Sequence, residues 1–169
     1  MRLYVLGFGS IGSGLMPLLL KHFDKSQISV FNGDSRNRHI ADELGISYTE
    51  LQLTPENYDE ELKRRVHKGS FLVNLSVDVS SRALVEWCRA HGVLYLDTCI
   101  EPWAGFYTDS SLPPERRSNY ALRQEMLDLR EEWRDQGQEP GPTAIMAHGA
   151  NPGLVNHFVK RALLNVAEK

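Results

Sequence analysis

Three glycines, Gly7, Gly9 and Gly12, stand in the stretch Val5-Leu6-Gly7-Phe8-Gly9-Ser10-Ile11-Gly12 at the spacing of a backbone built to approach a diphosphate. In that reading Gly7 permits a tight turn, Gly9 lets the chain come close to the phosphates, and Gly12 lets a helix pack against the preceding strand. The loop Gly7, Gly9, Ser10, Ile11 and Gly12 would then offer unpaired N–H groups at the positive end of a helix dipole. A glycine-rich turn that binds nothing fits the same letters, so the pattern depends on its context. Elsewhere Asp78, Glu101 and Trp103 have the chemistry to hold a cation, through charge and through an aromatic face.

The elements that must position these residues alternate along the chain. Residues 2–6 read as a strand, and Ile11, Leu15, Leu18 and Leu19 recur at helical spacing after the glycines. Residues 28–31 form a second strand, closed by the turn signal Asn32-Gly33-Asp34-Ser35-Arg36-Asn37, and residues 36–44 a helix. A third strand is expected around Tyr48, then a helix opened by Pro55 with Leu62 and Val66 on one face. The continuous apolar run 70–77 suits a strand buried on both faces of a parallel sheet. Ser80 or Ser81 can cap a helix carrying Leu84, Val85 and Cys88, ended by Gly92 before a fifth strand at 93–98.

A loop of about seventeen residues follows, longer than a connection needs. An amphipathic helix from Pro114, with Leu122, Met126, Leu129 and Trp133 on one stripe, then leads to a sixth strand at 143–149 and a terminal helix. The expected fold is α/β: one Rossmann-like, doubly wound domain around a mostly parallel sheet of about six strands.

In such sheets ligands sit beyond the carboxyl ends of the strands. Strand two places Asn32 and Asp34 there, strand four Asn74, Ser76 and Asp78, strand five Asp97, Glu101 and Trp103, and strand six His148 and Asn151. The mouth is acidic away from the ribose side and suits a cationic substrate. Each residue also has a plainer role: Asp78 as a helix cap, Asp97 as a structural strand-end residue, Glu101 as a solvated carboxylate, Trp103 as a cover for the core. The acid that an NAD site places about twenty residues beyond the glycines is replaced by Asn32, with Asp34 two positions later. Arg36 and Arg38 could take a 2′-phosphate or stand as surface charges, so NAD is expected and NADP not excluded.

The 169 residues are 41% hydrophobic with a formal charge of -3, enough for one core and without the basic surplus of a nucleic-acid binder. No metal site is expected, because His22, His39, His67 and His91 lack ligand spacing and His148 and His157 are nine apart. Cys88 and Cys99 imply no disulfide framework, and Cys99 is expected to be a small buried hydrophobe. No apolar run reaches the length of a membrane span, so neither nucleic acid nor membrane is expected as a partner, and cytoplasm is the expected compartment.

Five blocks now stand together: GFGSIG at 7–12, VNLSVDVSS at 73–81, LYLDTCIEPWAGFYTD at 94–109, RSNYALR at 117–123 and GANPGLVNHFVKRAL at 149–163. The chain resembles the N-terminal portion of the bacterial homospermidine synthases, within the saccharopine-dehydrogenase-like oxidoreductases. The resemblance implies NAD as a bound redox relay. It implies putrescine oxidised to an imine, condensed with a second amine with loss of ammonia, and reduced again to homospermidine, with spermidine as another donor. It also implies Asp78, Glu101 and Asn151 as catalytic pocket residues; the strand-end positions themselves make Trp103 and Asn74 the substrate-binding candidates and Asn32, Asp34 and Ser76 the cofactor-binding ones, Asn32 standing where the family commonly has an acid.

Members of that family are well over twice this length. The expected division is therefore a dinucleotide-binding domain over 1–152 and a helix, 153–169, leading toward a substrate domain absent from this chain. An isolated chain of this kind is expected to be inactive, and the full-length form to be a homo-oligomer. A saccharopine- or carboxynorspermidine-type oxidoreductase, or a non-catalytic NAD-binding module, are the alternatives.

Overall fold

The computed structural model describes residues 1–168, except for the side chains of Asn151 and Pro152. Six strands form one sheet: β1 (Leu3–Leu6), β2 (Ile28–Asn32), β3 (Ser47–Glu50), β4 (Phe71–Asn74), β5 (Leu94–Asp97) and β6 (Ala144–Ile145). Every pairing is parallel and the order is β3-β2-β1-β4-β5-β6. The helices are α1 (Ser10–Leu19), α2 (Arg38–Leu44), α3 (Tyr58–Arg65), α4 (Ser81–His91), α5 (Asn119–Asp135) and α6 (Val155–Ala167).

All four residues of β1 are buried, as a central strand requires, and they alternate between two cores. Leu3 and Val5 join Phe8, Met16, Ile28, Val30 and Ala41 on the face covered by α1 and α2. Tyr4 and Leu6 join Leu62, Leu84, Trp87, Met126 and Leu129 on the face covered by α3, α4 and α5. This two-sided burial is the expected doubly wound α/β arrangement. The register sets Phe31, Leu6, Asn74 and Asp97 side by side in one row at the carboxyl edge. The order in which strands are added reverses between β1 and β4, so the loops leaving those two strands diverge and open a crevice.

Local signals account for several boundaries. The Ser80 hydroxyl accepts the Ala83 N–H and caps α4, while Gly92 ends it in a left-handed conformation at φ 68. The acidic first turn and basic last turn of α3 agree with its dipole.

Other expectations need correction. The helix opened by Pro55 begins only at Tyr58, after a turn in which Asn57 Oδ1 accepts the Thr54 N–H. The helix from Pro114 is two elements, because Ser118 is extended between the 3-10 turn Pro114–Arg117 and α5, which it caps through the Ala121 N–H. Ile11 and Leu18 do not face the core. Gly12 faces β1 instead, close beneath the Gly7 carbonyl, and that contact rotates Gly12 and Met16 inward and the two larger residues outward. The sixth strand is only two residues long. None of the α6 residues is buried, and Leu154, Phe158 and Leu163 stand at 49%, 64% and 66% exposure.

Candidate dinucleotide and amine site

A groove of about 370 Å³ lies in the crevice between the loops after β1, β2 and β4. Gly7 and Gly9 form one wall, Asn32, Asp34 and Arg36 another, and Ser76 and Asp78 the third. The glycines differ in what they make possible. Gly7 has φ +89, and a Cβ there would stand 2.6 Å from the Leu75 carbonyl carbon and the Ser76 nitrogen. A Cβ on Gly12 would stand 2.4 Å from the Gly7 oxygen. Both therefore allow backbone to touch backbone inside the protein. Gly9 is different: a Cβ there meets nothing within 4 Å, so its bareness faces the groove.

Gly9 is the N-cap of α1 and no side chain caps that helix. The first-turn amides at Ser10 and Ile11 are thus left to an external acceptor. A dinucleotide fits this donor set, a bare glycine beside uncapped helix amides within an open crevice.

The wall after β2 is built on side-chain brackets. Asn32 Oδ1 accepts the Phe8 N–H at 2.8 Å, and its Nδ2 donates to the Asp34 carbonyl at 2.9 Å. The Asp34 carboxylate accepts the Arg36 N–H at 3.0 Å and pairs with the Arg36 guanidinium at 2.7 Å. The Arg36 side chain, ahead of its backbone N–H, holds the Asp34 carboxyl below the usual range. The two arginines separate: Arg36 lines the groove, whereas Arg38 lies 5.8 Å from the Tyr48 ring centre and 4.0 Å from Asp42.

Asn74 is almost fully buried. Its Oδ1 accepts from the Ser76 N–H at 3.1 Å and the Ser76 hydroxyl at 2.5 Å, while its Nδ2 faces the Tyr95 hydroxyl at 3.4 Å. It thereby sets the turn after β4, and Ser76 carries that order into the groove.

The acidic residues gather where the groove meets a second cavity of about 500 Å³, lined by Arg82, Glu101, Trp103, Phe106 and Glu125. Ser81 and Glu101 hold each other: the Ser81 N–H donates to the Glu101 carbonyl at 2.8 Å, and the Glu101 N–H to the Ser81 hydroxyl at 3.0 Å. Burial first, and then the neighbouring Asp78 and Asp97 charges, push the Glu101 carboxyl up. The Tyr107 hydroxyl is raised by burial and by Glu101, Cys99 and Asp78. Asp78 itself has φ +61, and the cap of α4 is Ser80, not Asp78. Trp103 is half-buried, with its ring 5.4 Å from that of Tyr58 while it also lines the cavity. Arg82, which the sequence reading did not single out, is engaged by Glu86 at 3.4 Å and Glu125 at 3.0 Å.

Cys99 is exposed, a correction to its expected burial. It sits in the loop after β5, and desolvation together with Glu101 pushes its thiol up to about 11. Cys88, buried in α4, is pushed up to about 12 by burial alone. The Asn151 side chain lies outside the described residues. Nearby, the His148 and His157 rings meet edge to face at 5.2 Å, beside Arg123 and Met146 in a third cavity. Among the described residues no cluster of three or more His, Cys, Asp or Glu could hold a metal ion, and no helix is long and apolar enough to cross a membrane.

Sequence reasoning missed Asn37, Arg82 and Tyr107 as site residues, and it placed Tyr48 and Ser81 only as a strand centre and a cap candidate. Of the first three, only the Asn37 position, at the end of a turn signal, carried any local hint.

Comparison with known proteins agrees with this architecture. Residues 3–145 match the family described as the saccharopine dehydrogenase NADP binding domain. The homospermidine synthase of Blastochloris viridis is 44% identical over 96% of this chain, and that of Mesorhizobium japonicum 43% over the same share. The chain spans about a third, 34%, of the length of each. A crystal structure of the homospermidine synthase from Legionella pneumophila in complex with NAD superposes with a TM-score of 0.83 at 38% identity, over 99% of this chain and 33% of that one. With its whole sheet inside the matched region, this chain belongs to the saccharopine dehydrogenase NADP-binding-domain family.

Proposed function

We propose that this chain is the cofactor-binding part of a homospermidine synthase-like enzyme: it binds NAD in the groove and contributes one wall of a polyamine pocket. The observation that carries the reading is the junction of two features at one sheet edge. The uncapped α1 terminus behind Gly9 adjoins a carboxylate pair, the exposed Asp78 and the half-buried Glu101, in a chain 44% identical to a homospermidine synthase. In this division residues 1–152 are the dinucleotide domain and 153–169 lead toward a substrate domain, which would cover the apolar α6 surface. The overall reaction is aminobutyl transfer, in which two putrescine molecules give homospermidine and ammonia. Putrescine and spermidine are the amine partners, the complete enzyme is a homo-oligomer, and its compartment is the cytoplasm.

A bound NAD supplies the hydride acceptor and donor for this chemistry. Ser10 and Ile11 amides hold the pyrophosphate, and Asp34 accepts from the ribose hydroxyls. Ser76, fixed by Asn74, borders the nicotinamide half. Asp78, Glu101 and Asn151 bind the cationic amine and stabilise its imine, with Trp103 covering the alkyl chain. Glu101 is half-buried, so its charge acts in a low dielectric where it is strongest.

Arg36 favours a second reading of the nucleotide, because its guanidinium lines the groove beside Asp34 and could take a 2′-phosphate. Calorimetric titration with NAD and NADP separates the two. Tighter NAD binding, with the preference lost in Asp34→Ala, supports the first. Preferential NADP binding, lost in Arg36→Ala, supports the second.

A further inference from the structure

Asn37 occupies the N-cap of α2, where an asparagine side chain ordinarily accepts an N–H of its own helix. Here it makes no such bond. Its Nδ2 reaches back 29 positions in sequence and donates to the Phe8 carbonyl at 2.7 Å. Phe8 lies between Gly7 and Gly9, and its N–H is taken by Asn32 Oδ1 at 2.8 Å. Two asparagines from one turn thus hold both polar groups of a single residue in the glycine loop. The Phe8 ring is fully buried and meets Tyr48 edge-on at 5.8 Å, and the Tyr48 hydroxyl donates to the Asp34 carbonyl, which also accepts from Asn32 Nδ2. The glycine loop and the Asp34 turn are therefore tied into one body by bonds that leave the Gly9 and Asp34 surfaces open to the groove.

We propose that Asn37 is a positioning residue for the dinucleotide: by holding the Phe8 carbonyl it presets the pyrophosphate loop against the ribose turn, without touching the ligand. This deepens the reading of the groove as a dinucleotide site and rests on it. A loop already fixed in the bound geometry spares the ligand the entropy of ordering it, so the brace acts on affinity. It acts on what NAD and NADP share, the pyrophosphate and adenosine halves. The choice between them belongs to Asp34 and Arg36.

The discriminating variant is Asn37→Ser, a neutral residue that caps a helix as well as asparagine does and is too short to reach Phe8. Asn37→Ala is the second variant, since it lacks both bonds. NAD and NADP are titrated calorimetrically into wild type and each variant, well below the thermal midpoint, and exchange of the Phe8 amide is followed by NMR. The expected result is a loss of affinity of about five- to tenfold for both nucleotides, an unchanged NAD-to-NADP ratio, faster exchange at Phe8, and a thermal midpoint retained in Asn37→Ser. Wild-type affinity in Asn37→Ser overturns the proposal, as does a loss confined to one nucleotide, which would make Asn37 a direct ligand. A wild-type chain that binds neither nucleotide overturns the dinucleotide reading itself, and that failure shows before any variant is compared.

Discussion

The Asp97 carboxylate at the end of β5 accepts the Ala147 N–H at 2.6 Å, across fifty residues of sequence. Ala147 is left-handed at φ 54, a conformation that costs an alanine about 1 kcal/mol, and the His148 N–H adds a second bond to the Asp97 carbonyl at 2.9 Å. Asp97 has no exposed surface, and its other carboxylate oxygen accepts the Tyr95 hydroxyl at 3.0 Å. The segment that carries His148 is thus stapled to the sheet by a buried carboxylate.

Asp97→Ala should leave the Ala147 N–H without a partner and the Tyr95 hydroxyl without an acceptor, lowering stability by about 2–4 kcal/mol in urea denaturation. The pH dependence has a definite sign. Burial raises the Asp97 carboxyl above its ordinary range, so the folded state holds this proton more tightly than the unfolded chain. Its contribution is complete below the unfolded value and is lost as pH rises through the folded one. Asp97→Asn, which keeps the acceptor for Ala147, should flatten that decline. A decline identical in the variant would assign it to other carboxyls.

Gly12→Ala should destabilise the chain by about 1–3 kcal/mol, because its Cβ would press on the Gly7 backbone oxygen, which cannot move without opening β1 from α1. Gly9→Ala, with open space around the new methyl, should melt within about 0.5 kcal/mol of wild type. Thermal melts of the two variants side by side check this contrast.

Glu101 offers a test of the amine pocket. Its raised carboxyl would be drawn down by a bound ammonium, so putrescine affinity should increase as pH rises through the Glu101 titration. Putrescine is titrated into the NAD-saturated chain at mildly acidic and at neutral pH. Glu101→Gln should lower affinity about tenfold at neutral pH and remove the pH dependence. Unchanged binding in the variant would leave Glu101 a solvated carboxylate.

Much of this fold could be read locally. The alternation of apolar runs with helical stretches located all six strands, and Ser80 and Gly92 marked the two ends of α4 because capping depends on a few adjacent residues. What escaped depends on contacts distant in sequence. The buried face of α1 follows from Gly12 lying under the Gly7 carbonyl, which no periodicity of Ile11 and Leu18 encodes. The exposure of Cys99 follows from the path of the loop leaving β5. Asn37 is only the last residue of a turn signal in sequence and becomes a brace when β1 and β2 stand side by side.

The most direct test of the account is calorimetric titration of NAD into the wild-type chain and Gly9→Asp. Gly9 faces open space, so the substitution leaves the fold room, while its carboxylate would occupy and repel the pyrophosphate position at the α1 terminus. The account predicts saturable one-to-one binding to wild type and a loss of at least about a hundredfold in the variant, with both proteins folded. Equal affinity in the two proteins, or no binding to the folded wild type, would contradict it.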